Sequence, residues 1–216
     1  MPPEPLILAF DTSAAHCAAA VLSGDRLLAF ADEEMLKGQA ERLFPLLVEV
    51  LAGAGADWRD LTALAVGTGP GNFTGVRIAV AAARGLALAL GIPAHGINGF
   101  EALAFGLQHP VLTSIDARQG RVYLQAFGSG DNSPILTDLA TLPHGLCVPG
   151  LTVTGYFSQN IADQLAARCA APTLPLAEAM ARIAAGRGAP SARPAPLYLR
   201  PADAAPSRDA PPVLLP

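Results

Sequence analysis

Residues 67–77 read Gly-Thr-Gly-Pro-Gly-Asn-Phe-Thr-Gly-Val-Arg, four glycines and a proline in eleven positions. The run lies where an apolar strand, Leu61 to Val66, gives way to a long helical pattern, Thr74 to Leu90. A plain strand-to-helix turn needs far less glycine, so this loop is built to a defined shape. Within the structural loop Gly69, Pro70, Gly71 and Asn72, the pair Pro70-Gly71 suits the centre of a type II turn. Proline would fix one φ there and Gly71 would supply the positive one. Asn72 and Thr74 can each cap the helix start, and Gly75 lets another backbone come close.

Glycine-rich turns before a helix often cradle phosphate, because backbone N–H groups and the helix N-terminus converge on an anion. The spacing argues against that chemistry. A P-loop ends in Gly-Lys-Ser/Thr, and Lys37 is the only lysine in the chain. A dinucleotide fingerprint fails as well, since Asn72 occupies the position of its third glycine. A structural turn that packs a helix onto a sheet is the simpler reading.

Composition narrows the function classes. A chain of 216 residues can bury a sizeable core and form two small domains. Net charge is −4, so no overall basic field exists to hold nucleic acid. Cys17, Cys147 and Cys169 are odd in number and widely spaced, which predicts buried thiols in a reducing compartment. The start, Met1-Pro2-Pro3-Glu4-Pro5, shows no basic segment ahead of its apolar run, so no secretory leader is expected. The most apolar run, Ile78 to Ile92, reads as too short for a bilayer and contains Arg84. Cytoplasm, with no membrane partner, is the expectation.

Along the chain, Leu6 to Phe10 reads as a buried strand ending at Asp11-Thr12-Ser13. Ala18 to Leu22 and Arg26 to Ala31 follow as a hairpin around Ser23-Gly24-Asp25. Gln39 to Leu51 is an amphipathic helix in which Pro45 predicts a kink or restart. Ile92 to Ile97 is a strand and Phe100 to Leu107 a helix. The pattern then begins again. Val111 to Ile115 ends in Asp116-Ala117-Arg118, and Arg121 to Phe127 answers it as a hairpin strand. Such an internal echo implies two related lobes rather than one domain. Leu151 to Gly155 (strand), Gln159 to Arg168 and Pro175 to Ala185 (helices) complete the second half. From Pro201 a mobile tail is expected, although Val213-Leu214-Leu215 has an apolar character suited to docking.

The glycine-loop signature, continued through Ile78 and Ala83-Arg84-Gly85-Leu86-Ala87, resembles that of the TsaB family. Asp11-Thr12-Ser13, Gly38-Gln39-Ala40-Glu41-Arg42-Leu43, residues 116–123 and Tyr198-Leu199-Arg200 extend the resemblance over most of residues 5–200. It implies an α/β fold of two duplicated lobes, the actin-like ATPase architecture. The expected division is residues 1–98 for the partner-binding lobe, 99–200 for a less regular lobe and 201–216 for the tail. It also implies a non-catalytic subunit of the assembly that makes threonylcarbamoyladenosine in bacterial tRNA. A TsaD-like subunit would carry catalysis, and a TsaE-like ATPase would join. tRNA would be engaged mainly through the complex, ATP and metal would reside in the partners, and the chain alone would form a homodimer.

Candidate residues follow from both lines. Asp11, Thr12, Ser13 and Asp116 stand at strand ends, where actin-like ATPases hold metal and nucleotide; a cap on its own turn is the alternative role for each aspartate. No glycine-rich adenosine loop is present in the second half, since Gly128-Ser129-Gly130 and Gly186-Arg187-Gly188 are too short. His16, His95, His109 and His144 include no pair one helical turn apart, so a metallopeptidase lacks its ligands. The second helix is apolar all round except for Arg77 and Arg84, and such a helix must be covered all round. A fully buried central helix fits that pattern, and so does a partner surface. By the resemblance, the surface would comprise Leu43, Leu47, Gly75, Val76, Arg77, Ala79, Val80, Ala83, Arg84 and Ala87, with both arginines reaching a partner's carboxylates. The rival functions are a small actin-like ATPase or kinase and, behind it, a peptidase.

Overall fold

The computed structural model describes residues 4–199 except 129, 131, 144 and 191. The expected tail, with Arg200, His144, Ser129 and the residues before Glu4, lies outside the described residues. Ten strands form two five-stranded sheets. In the first sheet β1 (Leu6–Asp11) pairs antiparallel with β2 (His16–Ser23), which pairs with β3 (Arg26–Glu34). On its other side β1 runs parallel to β4 (Ala63–Gly67), which runs parallel to β5 (Ala94–Ile97).

The second sheet repeats this plan. β6 (Val111–Asp116) pairs antiparallel with β7 (Arg121–Phe127) and parallel with β9 (Thr152–Gly155). Two short edge strands complete it, β8 (Ile135–Asp138) on β7 and β10 (Arg168–Cys169) on β9. The echo between residues 6–13 and 111–118 is therefore a repeat of topology, with β6 in the place of β1. Neither edge strand carries an apolar run that would announce it in sequence.

Alternation along β1 splits the first sheet into two apolar faces. Leu8 and Phe10 face α1 (Gln39–Gly53) and α2 (Phe73–Leu90), meeting Leu43, Leu46, Leu47, Ala79 and Ala83. Ile7 and Ala9 face the opposite way, onto Met180, Ala181 and Ala184 of α5 (Leu176–Ala185). Alanines at Ala18, Ala20 and Ala177 let that helix sit close to the strands. Thus a helix from the end of the chain closes the back of the first sheet. The second sheet has its own core, in which Leu112, Val122, Leu124 and Val153 meet Ile161 of α4 (Ser158–Leu165). Between the two, α3 (Gly99–Ala104) places Phe100 against Ala117 and Tyr123.

Several expectations change. α1 runs continuously through Pro45 and needs no restart. Cys17 is buried, its thiol pushed up to about 11 by burial and the nearby Glu33 charge, whereas Cys147 and Cys169 are exposed. α2 forms over 18 residues with mean hydropathy 1.5, so length alone would allow it to cross a bilayer. Only 28% of that helix is buried, and its buried residues face the sheet. Of the two readings of α2, the fully buried central helix is therefore excluded.

Candidate functional site

The glycine loop is shaped by the turn that follows β1. A Cβ on Gly71 would collide with the Ser13 carbonyl, one on Gly75 with the Thr12 carbonyl, and one on Gly67 with the Asp11 carboxylate. Asn72 N–H donates to the Ser13 carbonyl at 2.7 Å, and the Thr12 hydroxyl donates to the Gly75 carbonyl at 2.7 Å. The side chain of Asn72 caps α2 by accepting from Thr74 and Gly75 N–H. Three glycines thus let two backbone segments touch. The type II turn is corrected: positive φ falls on Gly69, at 85°, the Gly69–Pro70 peptide is cis, and Gly71 has no positive φ. Gly71 is required for close approach instead.

Asp11 is fully buried beneath this contact. One carboxylate oxygen, Oδ1, accepts from Ser13 N–H and Ser13 Oγ, each at 2.9 Å, and faces His16 Nε2 at 2.7 Å. The other oxygen lies against Gly67 and has no hydrogen-bond partner. On its far side His16 Nδ1 lies 3.4 Å from Asp32. Burial disfavours the charged imidazole, but the hydrogen bond and charge of Asp11, with Asp32 beyond, outweigh it. The His16 pKa is held above its ordinary value.

The carboxyl ends of β1, β4, β6 and β9 converge on a cleft of about 700 Å³ between the sheets. Ser13, His16 and Asp32 line one wall, Asp116, Arg118 and Tyr123 another, with Tyr156 and Tyr198 at the sides. Asp11 is sealed below the wall and Thr12 serves the loop, while Asp116 is exposed and caps its turn by accepting Arg118 N–H at 2.7 Å. The strand-end candidates are therefore not assembled into one ligand set. Among the described residues, no group of three or more His, Cys, Asp or Glu side chains is placed to hold a metal ion.

The predicted partner surface is largely corrected. Leu43, Leu47, Gly75, Val76, Ala79, Val80 and Ala83 are buried in the chain's own core. They form the inner stripe of each helix, which the 3.6-residue period alone cannot tell from the outer one. Arg77 and Arg84 are exposed but engaged within the chain. Arg84 Nε donates to the Pro194 carbonyl at 2.7 Å, and Arg77 Nε donates to the Tyr198 hydroxyl at 2.9 Å. Arg77 also lies 3.7 Å from the centroid of the Phe73 ring, which packs on Tyr198. Both arginines thus hold a strap, residues 192–199, along α2. Ala87 is half-buried. Besides these arginines, and Glu41 and Glu49 on α1, the outer stripes expose apolar residues: Phe44 and Val48 on α1, and Ala81, Leu88 and Ala89 on α2, with Leu88 82% exposed.

Known proteins match this chain throughout. The family model of TsaD, tRNA N6-adenosine threonylcarbamoyltransferase, matches residues 33–134. An uncharacterized protein of Mycobacterium bovis is 32% identical, over 93% of this chain and 94% of its own length. The tRNA threonylcarbamoyladenosine biosynthesis protein TsaB of Escherichia coli is 35% identical, over 58% of this chain and 56% of its own length. The solved structure of YeaZ from Pseudomonas aeruginosa superposes with a TM-score of 0.71 at 29% identity, covering 90% of this chain and all of that one.

The chain belongs to the TsaB/YeaZ family. Its fold is the two-lobed actin-like ATPase architecture. Against the curated TsaB of E. coli the chain matches about half of that protein's length. The signal that carried the family in sequence, the glycine loop with its flanks, packs in this TsaB-like chain around Asp11-Thr12-Ser13, and Pro70 to Phe73 line the cleft.

Proposed function

We propose that this chain acts in the synthesis of threonylcarbamoyladenosine in tRNA, as a non-catalytic subunit that supports a TsaD-like transferase. The pathway follows from its TsaB relatives and from the TsaD family match. The supporting role rests on one observation above all. α2 is long and apolar, yet less than a third of it is buried, and Leu88 on α2 and Phe44 and Val48 on α1 are large apolar side chains left exposed. Large apolar side chains left exposed on two helices that pack against each other are costly in water and suit an apolar face of a partner. On this reading Ala81, Leu88, Ala89, Phe44 and Val48 replace the buried set as the contact residues, and Gly85, with open space before it, permits close helix approach.

The state of the cleft supports the same reading. Asp11 is sealed below the cleft wall with Oδ1 engaged by Ser13 and His16, which favours catalysis in the partner. Residues 1–98 form the partner lobe in this proposal. A TsaE-like ATPase would join the assembly, the chain would self-associate through the same face when alone, and tRNA would be held mainly by the complex in the cytoplasm.

The test is co-expression with the TsaD-like subunit of the same organism, followed by mass measurement of the purified assembly. A heterocomplex is expected, and the chain alone should show no nucleotide turnover above background. Turnover by the isolated chain that disappears on Asp11→Ala substitution would establish the ATPase reading instead.

A further inference from the structure

A second cavity, about 580 Å³, opens on the far side of the strap, between the end of β5 and residues 187–190 and 192–197. Its charged lining is unlike that of the rest of the molecule. The protein carries 18 acidic against 14 basic residues, yet Arg187, Arg193 and His95 line this cavity and no carboxylate does among the described residues. His95 is 5% exposed and lines the cavity beside Arg187. Arg187 is partly committed: it donates to the Gly96 carbonyl at 3.2 Å and to Glu101 at 2.5 Å, outside the lining. Arg193 is exposed, with no ion-pair partner among the described residues.

We propose that this cavity binds a small phosphate-bearing molecule. Guanidinium groups meet phosphate oxygens through paired N–H donors, and the imidazole supplies a further one at the inner end. Thr68 and Asn98 also line the cavity, with Asn98 Oδ1 accepting from Glu101 N–H in the cap of α3. His95 is kept below its ordinary pKa by burial and by the charge of Arg187, so near neutrality it offers one N–H and one lone pair. A bound dianion would reverse that balance. The recess favours a free phosphate or a terminal phosphate monoester over the backbone of an RNA helix, whose diester is flanked by sugars. The site is separate from the α1–α2 face and does not depend on the reading of that face.

The test is NMR of the His95 ring resonances during titration with inorganic phosphate, with sodium chloride and acetate at matched ionic strength as comparisons. Phosphate is expected to give a saturable shift that the other salts do not. Arg193→Gln should weaken phosphate binding about tenfold, the loss of one charge-assisted contact. Arg118→Gln, in the interlobe cleft, should leave it unchanged. Circular dichroism of both variants should match that of the parent chain. An equal response to chloride, the absence of any shift, or undiminished binding by folded Arg193→Gln would overturn the proposal. So would a shift produced by an RNA hairpin but not by inorganic phosphate.

Discussion

His16 Nε2 stands 2.7 Å from Asp11 Oδ1, which ties the start of β2 to the end of β1 beneath the interlobe cleft. Asp11 is wholly buried, and Asp32 approaches the other ring nitrogen from β3. Because the folded His16 pKa is raised, the linked stabilisation is fully present below the ordinary imidazole value near 6.5. It is lost as pH rises through the higher folded value. His16→Gln should therefore lower the melting temperature more at pH 5.5 than at pH 9. An equal loss at both would show that His16 packs without titrating in this window.

The glycine loop gives a contrast within one element. Gly75 has the Thr12 carbonyl where a Cβ would go, and Gly71 has that of Ser13, so neither neighbour can swing aside as a side-chain tip would. Gly71→Ala and Gly75→Ala should each cost about 1–3 kcal/mol, the range for forced backbone displacement. Gly85 lies in the same helix as Gly75 with nothing within 4 Å of the built Cβ. Gly85→Ala should stabilise by about 0.5–1 kcal/mol through helix propensity. Urea denaturation of the three variants checks the signs, and a stable Gly75→Ala would disprove the close approach.

What the sequence makes legible here is what repeats or alternates. β1, β2, β6 and β7 were readable because apolar runs end in aspartates and turns, and Asn72 was readable as a cap. β8 and β10 escape because they are short, partly exposed edges whose existence depends on β7 and β9 already being in place. Gly71 was correctly marked as special but for the wrong cause, since a close approach to Ser13 leaves no local trace in sequence. Arg77 and Arg84 share the helical stripe expected of them. Their partners lie 121 and 110 residues away, and no periodicity in α2 reports that.

The strap itself is testable. Besides its two arginine contacts, Leu197 N–H donates to the Thr68 carbonyl at 2.8 Å, and Leu197 and Leu199 pack on Phe100, Ala117 and Tyr123. Arg84→Gln or Tyr198→Ala should cost about 0.5–1.5 kcal/mol, the scale of one net hydrogen bond or aromatic pair. Hydrogen exchange at the Leu197 amide should accelerate in both. Unchanged protection there would mean that the backbone contact with Thr68 alone holds the segment.

The inner and outer stripes of α2 separate folding from association. Ala83 is 0% exposed against the first sheet, so Ala83→Glu would bury an unpaired charge and should unfold the chain. Leu88 is 82% exposed and Val48 51%, so Leu88→Glu and Val48→Glu should leave the circular dichroism spectrum and melting temperature nearly unchanged. Each should nevertheless weaken assembly with the TsaD-like subunit by about 2–4 kcal/mol, as expected for a charge placed in a desolvated apolar contact. Size-exclusion chromatography of the co-expressed pair, with circular dichroism of each variant alone, reads both effects. Folded Leu88→Glu and Val48→Glu variants that assemble at full affinity would remove the outer α1–α2 face from the interface and leave the apolar exposure of α2 without a partner.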